Sequence, residues 1–197
     1  MKKNDNVFQL TLISMIVALL IMQTFIPIFG YIPLGPIDVT IVHITVILSA
    51  VLFGRKTGTI IGTIWGLLSM LRAFMQPTPF NIVFLNPLIS VLPRLLVGFV
   101  SATVFMILKE RLSKRLSYVL TAGIGTLTNT VLVLTSIYFF ASEVYSNALG
   151  IPKTALLGAL ATVVITNGLI EVVASIVILP LLALSLEKVI QSRMNKL

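Results

Sequence analysis

SMLRAFMQPTPFNIVFLNPLISVLPRLLVG, residues 69–98, is the stretch from which the rest of the chain can be read. Two arginines, Arg72 and Arg94, stand inside otherwise apolar helical stretches on either side of a proline-rich connection. In hydrocarbon a charged side chain at mid-helix costs roughly 2.5 to 3.5 kcal/mol on insertion scales, so each arginine needs a partner, a wet cavity or a ligand. Both are therefore the first functional candidates.

The surroundings of this stretch are hydrocarbon-like throughout. The chain has 197 residues, of which 57% are hydrophobic and only 10% charged, and its mean hydropathy is +1.09. An ordinary soluble domain carries about 25% charged residues, so this is an integral membrane protein. One span takes about 20 apolar residues, which allows six helices with short loops in a single transmembrane domain, residues 1–197. The absence of cysteine excludes disulfides, thiolate metal sites and cysteine nucleophiles. A net charge of +8 points away from nucleic acid, because the basic residues fall in short clusters between apolar spans, as the positive-inside bias requires.

Helix one is expected from about Phe8 to Phe29, ending in YIPLGPID, where Pro33, Gly35 and Pro36 form an outer loop. Helix two runs from about Val39 to Phe53 and stops at the basic turn Gly54-Arg55-Lys56. Helix three, Thr57 to about Ala73, carries Gly58, Gly62 and Gly66 at four-residue spacing, so one face admits a neighbouring backbone closely. The connection FMQPTPFNIVFLNP contains Pro77, Pro79 and Pro87 among phenylalanines, which suits a segment folded over the bundle as a candidate lid. Helix four is expected from Leu88 to Leu108, helix five from Tyr118 to Phe140, and the last from Thr154 to Leu186 with Pro180 as a kink point. All Lys and Arg except Arg72, Arg94 and Lys153 then fall on one side, which places both termini in the cytoplasm. No internal repeat joins the two halves.

At about 1.5 Å rise per residue, Arg94 lies roughly 10 Å below the outer boundary, with Arg72 at similar or shallower depth. Glu171 sits roughly 9 Å below that boundary on the last helix, and Asn167 one turn above it on the same face. Asn129 on helix five and His43 near the outer end of helix two complete a polar set in the outer half of the bundle, joined by Asn81 in the connection and Trp65 on helix three. Together they describe a pocket open to the outside. Each also has a structural reading: Arg94 with Glu171 as a buried ion pair, Arg72 snorkelling to the interface, and His43, Asn129 and Asn167 as interhelical hydrogen bonders. Trp65, Phe74, Phe80 and Phe84 serve as packing or interface anchors, or as apolar pocket walls. There is no HExxH, CxxC, Walker loop or GxSxG, and a single histidine leaves no triad or metal set, so neither an enzyme nor a cofactor is indicated. Active uptake would need a partner that hydrolyses ATP. Ser14 and Ala18 on helix one form a small-xxx-small step suited to helix docking.

With these residues assembled, the chain resembles the substrate-binding S components of energy-coupling factor (ECF) vitamin transporters. DVTIVHITVILSAVLFGRKTGTIIGTIWGLLSMLRA, VLPRLLVG, GTLTNT and NGLIEVV look like the subgroup that includes pantothenate-specific members. The resemblance implies a multi-pass protein of the prokaryotic plasma membrane, surrounded by lipid, that captures a small-molecule vitamin outside and topples within the membrane to deliver it. It implies a transmembrane coupling protein, docked on the positions matching an AxxxA-like motif, here Ser14 and Ala18, and two ATPase subunits. A pocket with Arg72, Arg94, Asn129 and Asn167 suits a small anion bearing hydroxyl and amide groups, since arginine pairs bidentately with carboxylate. Pantothenate meets that description. Riboflavin, a pyridoxine-like compound and a thiamin precursor remain alternatives, as does a non-transport membrane assembly protein.

Overall fold

The computed structural model describes residues 2–26, 29–32 and 38–194, with side chains running from Leu10 to Ile190 within them. Helix α1 (Lys2–Phe25) opens the chain. A short antiparallel pair follows, β1 (Tyr31–Ile32) with β2 (Val39–Thr40), which sets Tyr31 opposite Thr40. The expected break at Pro33, Gly35 and Pro36 lies between these strands, outside the described residues.

Helix α2 (Val42–Met75) turns back on itself at Gly54, whose φ of 83° and ψ of −175° belong to a region that side chains bar to other residues. Two contacts demonstrate the reversal. A Cβ on Gly58 would lie 2.5 Å from that of Ala50, whereas residues eight apart on a straight helix are separated by about 12 Å. Arg72, near the end of α2, pairs with Asp38, just ahead of its start, at 3.3 Å. The two arms, 42–53 and 55–75, are the expected second and third spans joined by the basic turn.

After a 3₁₀ turn (Ile82–Leu85), α3 (Pro87–Leu108) starts where sequence chemistry says it must. The Asn86 side chain accepts from the Leu88 backbone N–H at 3.0 Å and Pro87 takes the first helical position. Then come α4 (Lys114–Phe140) and the short α5 (Ser142–Leu149), which ends at Gly150 with φ 67°. A 3₁₀ turn (Lys153–Ala155), α6 (Leu156–Val163), a π-helical turn (Val164–Gly168) and α7 (Leu169–Met194) form one rod over the last predicted span. Among the described residues four helices are long and apolar enough to cross a membrane, and Leu10–Phe25 in α1 is a shorter apolar stretch. With α2 contributing two arms, the described helices supply the six predicted passes.

The glycine face of arm 55–75 packs directly on α3. Gly62 abuts the carbonyl oxygen of Arg94, a Cβ on Gly66 would lie 2.6 Å from Val91 Cα, and one on Gly58 would lie 2.9 Å from the Gly98 carbonyl. Backbone thus meets backbone, and the register of Arg94 is fixed by glycines one helix away. Gly62→Ala is expected to lower stability by about 1 to 3 kcal/mol through overpacking. Gly158→Ala, inside α6 where a Cβ meets nothing within 4 Å, should leave it unchanged or raise it by up to about 1 kcal/mol. Thermal unfolding of the two variants in detergent makes the comparison.

One apolar cluster joins arm 42–53, Trp65 and Leu20 to Leu179 and Ala183 of α7. A second, around Val83, Ile89, Leu134, Tyr145 and Leu156, lies toward the opposite end from the Gly54 turn. Near the α3–α4 turn, Tyr118 stacks on Phe105 with centroids 5.0 Å apart and donates to Glu187, which also takes Lys114, so α4 and α7 are pinned there.

Candidate functional site

The height of arm 42–53 explains why a cavity exists. At about 1.5 Å per residue it rises only about 18 Å from the Gly54 turn, against about 30 Å of hydrocarbon. The chain reaches the level of Arg72 through the extended β2 instead. Extended backbone at that depth is tolerated only where protein buries it or where it borders a cavity. Both conditions hold here: Glu171 Oε1 accepts the Thr40 backbone N–H at 2.7 Å, its Oε2 accepts from Thr130 Oγ1 at 3.2 Å, and Thr40, Thr130 and Glu171 all line a cavity of about 300 Å³.

Arg94 enters this cavity from α3 with only 4% of its surface exposed. Its Nη1 donates to the Ile89 carbonyl at 2.6 Å, and its guanidinium lies 5.1 Å from the Trp65 ring centroid and 4.9 Å from that of Phe84. Buried Nε has no partner. The expected pairing with Glu171 is not made: among the described residues the ion pairs are Arg72 with Asp38 and Lys114 with Glu187. Glu171 is instead committed to the backbone of β2 and to Thr130. Arg94 is thus a buried cation held by rings and one carbonyl, in no direct ion pair, with the Glu171 carboxylate of the same cavity acting on it only at longer range.

Arg72 is differently placed. It binds Asp38 Oδ2 through Nη1 at 3.4 Å and Nη2 at 3.3 Å and covers the Tyr31 ring at 4.1 Å. The Tyr31 hydroxyl in turn accepts from Trp65 Nε1 at 3.1 Å and shares a hydrogen bond with Ser69 at 3.2 Å. Trp65 is fully buried behind this layer and does not border the cavity, contrary to the sequence expectation. His43 does not either. Its ring bonds Ser175 Oγ at 2.8 Å and Thr40 Oγ1 at 3.2 Å, and Thr126 donates to the same serine at 2.8 Å, a buried chain that joins arm 42–53 to α4 and α7.

The neutral polar candidates converge on the cavity from three elements. Asn129 of α4, 6% exposed, has a buried Oδ1 without a hydrogen-bond partner. Asn167 stands on the π-helical turn and its Oδ1 accepts from Thr166 Oγ1 at 3.1 Å; single π turns recur at functional sites. Asn81 borders the cavity while its amide shapes the connection: Oδ1 accepts from Thr78 N at 2.6 Å and Nδ2 donates to the Gln76 carbonyl at 2.8 Å. Phe80 and Phe84 of the same connection supply apolar wall. Phe74 points away and is 74% exposed.

Several polar cavity residues escaped the sequence reading, among them Tyr31, Asp38, Thr40, Thr130 and Tyr145. Asp38 and Thr40 sit beside a loop whose strands are too short for a pattern, and Tyr145 lies in what read as a polar loop. A stop signal for α5, Gly150 followed by Pro152, was the available clue. Tyr145 is 1% exposed, its ring meets Phe80 edge-on at 6.1 Å, and its hydroxyl has no partner. Burial pushes the phenol pKa up, so the group stays a donor.

A cavity with a guanidinium that makes no ion pair, an unpartnered acceptor and an unpartnered hydroxyl has the chemistry to hold a small anion that also carries neutral polar atoms. Among the described residues no group of three or more His, Cys, Asp or Glu side chains could hold a metal ion. Comparison with known proteins agrees with a binding role. The pantothenate transporter PanT of Leuconostoc mesenteroides is 32% identical over 183 residues, covering 89% of this chain and 90% of its own. The pantothenic acid transporter PanT of Lactococcus lactis subsp. cremoris is 34% identical over 157 residues, 73% of this chain and 74% of its own. Residues 8–183 match the family described as ECF transporter, substrate-specific component. With that match spanning nearly all of the helical bundle and its cavity, the chain belongs to the substrate-specific components of ECF transporters.

Proposed function

We propose that this chain is the pantothenate-binding subunit of an ECF uptake system in the plasma membrane. The observation that carries the reading is Arg94: a buried guanidinium that makes no ion pair among the described residues and leaves Nε unbonded has donors free for an anion, and a ligand carboxylate takes them through two parallel N–H···O bonds. Arg72 is a weaker candidate for that role because Asp38 already neutralises it. The two relatives named for pantothenate support the choice of vitamin. So does the cavity, since about 300 Å³ is at the small end of ligand sites, roughly 300 to 1,000 Å³, and suits an acyclic acid better than a flavin. In this reading the basic turns face the cytoplasm, the cavity opens outside, and residues 74–86 cover the bound ligand. Mass spectrometry of the small molecule released on denaturing the purified protein tests the assignment. Pantothenate is expected; a stoichiometric flavin or thiamin precursor overturns it.

Delivery requires an ATP-driven coupling module, and α1 offers the surface for it. Ser14 and Ala18 are both exposed on α1, flanked by Leu10, Met15 and Met22 at 65%, 64% and 47% exposure. The Ser14 hydroxyl is turned back onto the Leu10 carbonyl at 2.9 Å, so the step is smooth and apolar. Ser14→Leu or Ala18→Leu is expected to abolish co-purification with the coupling protein while pantothenate affinity stays within about twofold, because a bulky side chain holds two helix backbones apart. An intact complex from either variant removes the docking role.

A further inference from the structure

We infer that Tyr145 is a specificity-determining residue that donates a hydrogen bond to an oxygen of the ligand's uncharged half. The inference rests on the pantothenate reading above and deepens it. Its basis is an orphaned group in a defined place. The Tyr145 side chain is 1% exposed and borders the cavity, and its hydroxyl has no hydrogen-bond partner. Buried hydroxyls are nearly always paired, and one left alone destabilises the protein that holds it. The hydroxyl therefore marks a position where the bound state supplies what the empty state lacks.

The surroundings say which part of a ligand that is. Tyr145 sits on α5, ending the path from α4 to α6, with its ring held in an apolar cluster of Val83, Ile89, Leu134, Leu156 and Leu160 and edge-on to Phe80. The Arg94 guanidinium, which takes the carboxylate in the reading above, borders this cluster at the Ile89 carbonyl and the Phe84 ring, so the acid is already provided for and the phenol is left for the uncharged half. A neutral carbonyl or hydroxyl oxygen is the acceptor that matches a single phenolic donor in an apolar wall. Because Phe80 belongs to the connection over the cavity, a ligand bonded to Tyr145 also lies against the segment that covers it.

Tyr145→Phe keeps the ring and its contacts and deletes only the hydroxyl. Calorimetric titrations of wild type and Tyr145→Phe with pantothenate, and with the neutral counterpart in which an alcohol replaces the carboxylate, provide the test. The variant should bind both ligands about three- to tenfold more weakly, since one neutral hydrogen bond is lost and the uncharged half is common to both. Without ligand its thermal midpoint should be unchanged or higher, because an unsatisfied buried group has gone. Equal affinities in the two proteins overturn the inference while leaving the pantothenate reading intact, and so does a loss confined to the acid, which would put the phenol at the carboxylate. A lower ligand-free midpoint with unchanged binding makes Tyr145 structural. Failure of wild type to bind pantothenate overturns both readings together.

Discussion

Arg94→Lys is expected to weaken pantothenate binding about ten- to a hundredfold while leaving affinity for the corresponding alcohol nearly unchanged. Lysine keeps the charge, so what is lost is the planar fork and the stacking. Arg94 lies between the Trp65 and Phe84 rings at 5.1 and 4.9 Å and uses one Nη1 bond on the Ile89 carbonyl, which leaves its other donors for a ligand. An ammonium on a flexible stem cannot present two parallel donors at that position. Charged hydrogen bonds contribute about 1.5 to 3 kcal/mol each, and every 1.4 kcal/mol is about tenfold in affinity. The protein should still fold, because among the described residues no carboxylate relies on Arg94. Isothermal titration of both proteins with both ligands decides it: a variant that keeps the wild-type preference for the acid makes Arg94 a packing residue.

Glu171 tests the other half of the site, and here alanine and glutamine should part company. Glu171→Ala removes the acceptor of the part-buried Thr40 N–H and one partner of Thr130. The expected loss is about 2 to 3 kcal/mol, mostly from stranding the backbone group. Thr130 can fall back on the Thr126 carbonyl, 3.2 Å away. Glu171→Gln retains an oxygen for Thr40 and should recover most of that stability. Its pantothenate affinity should equal or exceed that of wild type, since a negative charge beside the cavity has been removed. Thermal unfolding and titration of the two variants provide the reading. Should folded Glu171→Gln lose pantothenate binding, the carboxylate would be orienting Arg94 after all.

How far the sequence could be read follows from the range of the interactions involved. Six passes were legible because hydropathy and basic turns are local signals, and the glycine face of residues 58–66 was legible because its spacing is helical. Arg94, Asn129 and Asn167 stood out since polar groups in apolar runs need a reason. Partner choice was not legible. Glu171 bonds to Thr40 across 131 positions, and depth along the helices, which matched it to Arg94, carries no information on which way a side chain turns. The pairing of Arg72 with Asp38 depends on the reversal at Gly54 and on a two-residue strand, too short for any periodicity. His43 and Trp65 were placed at the right level but on the wrong side of a wall, as helix register alone could not separate the cavity from the layer behind it. Tyr145 lay in a segment whose eight-residue helix gives no hydrophobic run to detect.

The claim on which all of this turns is that the cavity selects a small carboxylate. Equilibrium titration of the purified wild-type protein with pantothenate, its alcohol counterpart, riboflavin, a pyridoxine-like compound and a thiamin precursor tests it most directly. Pantothenate should bind at least about tenfold more tightly than the alcohol, as expected for one charged contact, and the other three should not compete with it. A ligand without a carboxylate that binds as tightly as pantothenate would contradict the account.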